Sequence, residues 1–242
     1  MDQALLKVKS VSKQFGGFTA LDNVSIEIAR GERFGLIGPN GSGKTTLINC
    51  VSGSLRNDAG SIEFDGEEVS RLPAFQRTRR GIARSFQIPR PCTSMTVLEN
   101  LVVPLEYVVH RRSLHKADTR GEAMALLQDM GLADKADTQA NRLSQVELRK
   151  MELARAMAAR PRLLISDEAM AGLSSNEVAE VLEILFKLNA TGITIIMIEH
   201  IMQALMRFSQ RVICLDAGRI ICEGAPQDIV RNADVQKAYL GA

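Results

Sequence analysis

The chain predicts an α/β fold with a mostly parallel core sheet, and three features of its 242 residues carry that expectation. Short β-branched runs alternate with helical patterns, as they do where crossover helices cover a parallel sheet. One such run, Glu32–Gly38, passes through a glycine-rich turn directly into a helical stretch. From about Ile88 to Arg160 the strand signal stops and helical patterning takes over, so a helical subdomain is expected to interrupt the core.

In chain order, Leu6–Phe15 and Asn23–Ala29 read as early strands and Glu32–Gly38 as a buried one, with a helix over Thr45–Gly53. Gly60–Val69 reads as a hairpin about Asp65-Gly66, a dipeptide suited to a two-residue turn. An antiparallel β subdomain is therefore expected beside the parallel core. Inside the helical block, Tyr107–Arg120 is a polar, basic bridge between two helices. His110 and His115 in that bridge read as solvated loop residues, since two histidines five apart make no metal site on their own. Strand patterning returns in Arg162–Glu168, Gly192–His200, Arg211–Asp216 and Gly218–Gly224. With no internal repeat or low-complexity segment, one domain over 1–242 is expected, with an insertion at about 88–160.

Bulk composition narrows the function. A 45% hydrophobic, 24% charged chain can bury a sizeable core and is not disordered. A formal charge of +2 argues against a dedicated nucleic-acid binder, whose basic excess is larger and clustered. Cys50, Cys92, Cys214 and Cys222 form no CxxC pair and read as small buried hydrophobes of a reducing compartment. The N-terminus has neither the apolar core nor the cleavage site of a signal peptide. The most apolar run, Gly192–Phe208, is interrupted by Glu199 and His200 and does not span a bilayer. A soluble, cytosolic chain is expected, one that can still sit on a membrane protein.

The chemistry concentrates in two motifs. "GPNGSGKTT", comprising Gly38, Pro39, Asn40, Gly41, Ser42, Gly43, Lys44, Thr45 and Thr46, fits G-x-x-x-x-G-K-[ST] between a strand and a helix. Its glycines let backbone N–H groups turn toward phosphate oxygens, and the helix that follows offers them its positive end. Lys44 can reach the β- and γ-phosphates, and Thr45 can present a hydroxyl to Mg²⁺. In "RLLISDEA" an apolar strand runs into Asp167 and Glu168. Carboxylates at the end of a buried parallel strand lie at the sheet edge where ligands bind in such folds. Asp167 is placed to hold Mg²⁺ through water, and Glu168 to polarise an attacking water as general base.

With these residues in place, the chain resembles the nucleotide-binding subunits of ABC transporters over nearly its whole length, which implies a P-loop NTPase fold of ABC type. Phe15 lies where that family stacks adenine on an aromatic, and Gln87 in "GIARSFQ" matches the glutamine of the Q-loop, a contact to Mg²⁺ and to the attacking water. "LSQVE" stands where the LSGGQ signature belongs, "DEAMAGLS" follows the family's path into the D-loop, and His200 in "IMIEH" sits at the switch-histidine position. Finer phrasing, including "MTVLEN", "IEHIMQALM" and the ending "AYLGA", resembles the branched-chain amino-acid importer group.

The resemblance implies an ATPase whose cassettes pair head to tail, with ATP and Mg²⁺ held between the phosphate loop of one and Ser144 of the other. It also implies permease subunits, an identical or different second cassette, and a periplasmic or extracellular solute-binding protein. Lipid-exporting ATPases of similar length, or a poorly hydrolysing cassette beside a competent one, remain open at this point. Three departures stand out. Ala169 replaces a usual proline, Ser174 a usual Asp or Asn, and the signature has lost both glycines. Ser144-x-x-Glu147 is nonetheless a capping-box pattern, so a helix is expected to start there with its positive end intact. Val146 should hinder close backbone approach to a phosphate, giving a working but weakened half-site.

Overall fold

The computed structural model describes residues 4–85, 91–110 and 118–240. Two sheets carry the fold. In the first, β1 (Ala4–Phe15) pairs antiparallel with β2 (Phe18–Ala29) and with β4 (Ala59–Phe64), and β5 (Glu67–Glu68) closes a hairpin on β4. That hairpin turns at Asp65-Gly66, whose φ values of 54° and 81° are both positive, as a type I′ turn requires.

The second sheet has six strands: β3 (Arg33–Ile37), β6 (Ile82–Ser85), β7 (Leu163–Asp167), β8 (Thr194–Ile198), β9 (Arg211–Asp216) and β10 (Arg219–Gly224). Their order is β10-β9-β3-β8-β7-β6; β10 is antiparallel to β9 and the other pairings are parallel. Alternate residues of these strands enter different apolar layers. Leu163, Ile165, Ile196 and Ile198 face the antiparallel sheet and α1 (Lys44–Ser52), while Leu164, Ile195 and Met197 face the helices on the other side. Both faces are buried, which is why the strands read as unbroken apolar runs. Each fully buried Ile or Leu contributes about 1.5–3 kcal/mol relative to exposure.

Register places the chemistry. Leu36 pairs with Ile198, and Asp167 pairs with Ile198 from the other side. The ends of β3, β7 and β8 therefore finish level, and the segments that follow them meet at one edge. The far end of α1 is fixed by Arg77 of α2 (Ala74–Arg79), a fully buried guanidinium that donates to the carbonyls of Cys50, Val51, Ser70 and Leu72. Burial lowers its pKa to about 10, so it stays charged and holds those terminal carbonyls.

Helices fill the segment between β6 and β7: α3 (Val97–Pro104), α4 (Thr119–Asp129) and α5 (Gln145–Met157). Thr96 with Glu99 and Ser144 with Glu147 form capping boxes, and Asp118 caps α4. One difference from the sequence reading lies in the polar bridge. Pro104 has no N–H to give, and the chain widens into a π-helical turn over Leu105–Val109, closed by His110 N–H to Leu105 O at 2.8 Å. His110 is also no loop residue in solvent. Its Nε2 lies 3.1 Å from the Glu122 carboxylate and is mostly covered; His115 lies outside the described residues. Cys50 and Cys214 are buried, but Cys92 is exposed, and all four thiols are free.

After β7 come α6 (Ser175–Ala190), α7 (Met202–Phe208), and two C-terminal helices, α8 (Pro226–Arg231) and α9 (Ala233–Leu240). Among the described residues no helix is long and apolar enough to cross a membrane.

Candidate active site

The loop after β3 is shaped by two glycines that nothing larger can replace. Gly38, with φ 150°, would drive a Cβ to 2.2 Å from the Leu215 carbonyl, and Gly43, with φ 105°, to 2.6 Å from the Ala20 carbonyl. Gly43 opens α1, which has no side-chain cap and no acidic residue in its first turn. Its leading N–H groups and helix dipole thus face the cradle with no acidic side chain of the helix's own first turn to cap them. Ser42 Oγ is buried there with no protein partner. Lys44 Nζ donates to the carbonyls of Gly38 at 2.6 Å and Pro39 at 2.9 Å. Burial lowers its pKa, against the charges of Glu168, Cys214 and Asp167. Uncapped N–H groups, an orphan hydroxyl and a lysine together fit a polyphosphate.

Across the cradle, Glu168 holds an unusual backbone conformation for a non-glycine residue, φ 49°, fixed by its N–H donating to Ile198 O at 2.8 Å. Strain of that kind costs about 1–3 kcal/mol and is found where a side chain must be aimed. Glu168 Oε1 lies 3.1 Å from His200 Nε2. One cleft gathers Phe15, Phe18, the residues from Asn40 to Thr46, Glu168 and His200. Asp167, behind it, is buried, and its Oδ2 accepts from Arg84 at 2.6 Å, while Arg84 also reaches Asn49 of α1. Thr45 and Asp167 are the described residues suited to a cation, and no cluster of three ligating side chains occurs among the described residues. A cation here would complete its shell with phosphate oxygens and water, the habit of Mg²⁺. Gln87 lies outside the described residues.

Two site features escape sequence reading. Phe18 stands beside Phe15 across the β1–β2 turn, and both rings are about half exposed or more. Lys13 Nζ sits 5.5 Å from the Phe15 ring centre. Phe15→Ala is expected to weaken ATP binding by ~1–3 kcal/mol, the worth of base stacking on an aromatic. A titration in which Phe18→Ala loses affinity and Phe15→Ala does not would move that role to Phe18.

The second is Glu199, almost fully buried, whose carboxylate accepts the Met170 N–H at 2.9 Å and so pins the chain beyond Glu168. Burial pushes its pKa up to about 7, opposed by that N–H and by Arg149 and reinforced by Glu168 and Asp167. A carboxyl whose pKa rises on folding contributes stability in its protonated form, and that stability is lost as pH climbs from the ordinary carboxylate range through about 7. Glu199→Gln is therefore expected to raise the melting temperature by a few degrees at pH 8 and by little at pH 5. Thermal unfolding of both proteins at the two pH values checks this; an equal shift at each contradicts it.

Ser144 is not among the residues lining this cleft; it caps α5, exposed, with Oγ accepting the Glu147 N–H. Within one chain it does not meet the phosphate loop. Glu147 turns back to the Ser144 N–H at 2.8 Å, which holds its pKa down and its charge in the cap. The residues that replace the signature glycines have partners of their own. Gln145 Nε2 donates to Ala171 O at 3.2 Å, and Arg149, one turn on, reaches the same carbonyl. Val146 packs against the helical core. Ser174 donates its N–H and hydroxyl to Glu177, starting α6.

A polyphosphate cradle facing a carboxylate and a histidine is the equipment of a nucleoside triphosphatase, and the comparisons with known proteins give its class. The family model described as ABC transporter matches residues 21–171, and one described as branched-chain amino acid ATP-binding cassette transporter matches 219–242. The chain belongs to the ABC transporter family as an ATP-binding cassette, an ATPase coupled to transport. It is 37% identical to the high-affinity branched-chain amino acid transport ATP-binding protein LivG of Salmonella typhimurium, covering 100% of this chain and 99% of that one. To BraF of Pseudomonas aeruginosa, of the same description, it is 34% identical with the same coverage. Among solved structures, the ADP conformation of an ATP-binding cassette of an ABC transporter superposes with a TM-score of 0.89, at 30% identity, over 99% of this chain and 100% of that one.

Proposed function

We propose that the chain powers uptake of branched-chain or similar small amino acids, working on the cytoplasmic face of the cell membrane beneath separate permease subunits. The observation that carries this reading is the end-to-end likeness to branched-chain amino acid transport ATP-binding proteins, which extends through the C-terminal segment. The same likeness disfavours a lipid-exporting system. ATP is the substrate; Lys44 and the first turn of α1 bind its phosphates, and Phe15 stacks on its base. Thr45, Asp167 and Gln87 would hold Mg²⁺, which shields phosphate charge. Glu168 takes a proton from the attacking water, and His200, hydrogen-bonded to it, keeps that carboxylate aimed. The water oxygen bonds to the γ-phosphorus as the bond to the bridging oxygen breaks, leaving ADP and phosphate.

Two cassettes pair head to tail in this reading, and Ser144 of one completes the site of the other. With Gln145 and Arg149 holding the D-loop of their own chain, closure depends more on the membrane partners than it would with glycines. The helices at 88–160 form the inserted subdomain. A groove of about 410 Å³ between them and the core, lined by Ala74, Thr78, Val103, Tyr107 and Arg155 among others, is where a permease helix docks. Tyr107, which lines it, is exposed, as is Phe75, the neighbour of Ala74. Co-purification with its membrane partners from the native cell, followed by ATPase assays across solutes, tests the reading. Stimulation by leucine, isoleucine or valine supports it; stimulation only by urea, an amide or a lipid overturns the substrate class.

A further inference from the structure

The C-terminal helix reaches the phosphate loop. Gly38 N–H donates to the Tyr239 hydroxyl at 2.9 Å, across 201 positions of sequence. Gly38 is the first residue past the paired end of β3, whose last rung is Ile37 with Cys214. Its N–H is buried and has no strand to bond, so an acceptor must come from elsewhere or the group is stranded at a cost. Tyr239 supplies it. The residue as a whole is partly exposed, but its hydroxyl is held at Gly38, and burial raises its pKa, so it stays a neutral phenol able to accept. Helix α9 is itself anchored by Val235, which is buried in the helical core with Ile229 and Cys214.

We infer that Tyr239 is a positioning residue for the nucleotide site, fixing the first peptide of the phosphate loop from the C-terminal helix. This rests on the reading of the loop as an ATP site. The next two peptides are held by Lys44, which donates to the carbonyls of Gly38 and Pro39. Two of the three ammonium donors of Lys44 hold these carbonyls, and any that turns to a phosphate loosens its grip on the loop. The Tyr239 bond does not depend on Lys44 and keeps the loop entrance in place whichever way the lysine points. On the β9 side the Leu215 carbonyl leaves no room even for a Cβ at Gly38.

The test uses the full chain in four forms: wild type, Tyr239→Phe, Leu127→Ala and Lys44→Ala. Tyr239→Phe removes one oxygen and leaves the ring. Loss of one hydrogen bond that orders the loop predicts ATP binding about three- to ten-fold weaker, by calorimetric titration. In the assembled transporter the KM for ATP should rise by a like factor with kcat nearly unchanged, because Glu168 and His200 are untouched. Leu127→Ala, in α4 and away from both α9 and the cleft, removes buried core and lowers the melting temperature at least as much, yet should leave ATP affinity at the wild-type value. Unchanged affinity in Tyr239→Phe overturns the inference, and so does a loss in both variants that merely follows their melting temperatures. If wild type binds ATP and Lys44→Ala does not, the ATP site stands and such a failure belongs to Tyr239 alone. If wild type binds no ATP, both the site and the inference fall.

Discussion

ATP turnover by Glu168→Gln is expected to fall by ~10²–10⁴-fold, the usual cost of losing a general base, while ATP binding persists. The substitution keeps the shape of the side chain and removes only its ability to take a proton. The carboxylate faces the phosphate cradle, 3.1 Å from His200, on a backbone held in the left-handed region by the Ile198 carbonyl. Glutamine can occupy that conformation and keep a hydrogen bond to His200, so the loss reports chemistry and not folding. Phosphate release and nucleotide titration on the same preparation separate the two quantities. Wild-type turnover in the variant would remove Glu168 from the role.

Lys44→Ala is expected to weaken ATP binding on the order of 10- to 100-fold, since hydrogen bonds to a charged group contribute about 1.5–3 kcal/mol. The lysine is half-buried, and its ammonium already spends two of its three donors on loop carbonyls at 2.6 and 2.9 Å. A polyphosphate in the cradle would be a stronger acceptor than either carbonyl. Alanine leaves those phosphate charges facing the helix end alone. Titration with ATP and with adenosine checks the cause: adenosine, having no phosphate, should bind both proteins alike. An equal loss for adenosine would mean that the substitution had disturbed the loop itself.

What the sequence made legible is local. The phosphate loop could be read because its glycines, lysine and threonines fall within nine consecutive residues, Gly38 to Thr46. Asp167 and Glu168 could be read because they end an apolar run, and that run is apolar because both sheet faces are buried. The cap at Ser144 spans one helical turn and was equally legible. Features made by distant segments were not. Nothing near Asp167 in the chain announces Arg84, and nothing near Gly38 announces Tyr239. Glu199 gave no sign of its burial, because its fate depends on how the segment after Glu168 folds over it. Gln145 looked like a loss when set beside a glycine signature; its contact with Ala171 needs the packing of α5 against the D-loop to be seen. His110 misled for the same reason, since Glu122 belongs to α4 and meets His110 only when α4 packs against the end of the π-helical turn.

The central claim is that ATP hydrolysis at this site drives amino-acid uptake, and solute flux tests it most directly. The chain would be reconstituted into vesicles with the permeases and solute-binding protein that the proposed function calls for, with radiolabelled leucine on the binding-protein side and ATP on the cassette side. Leucine should accumulate against its gradient only with ATP and the wild-type cassette, and accumulation should be lost with Glu168→Gln. Accumulation that persists without ATP or with Glu168→Gln would contradict the claim, as would ATP hydrolysis that moves no branched-chain amino acid.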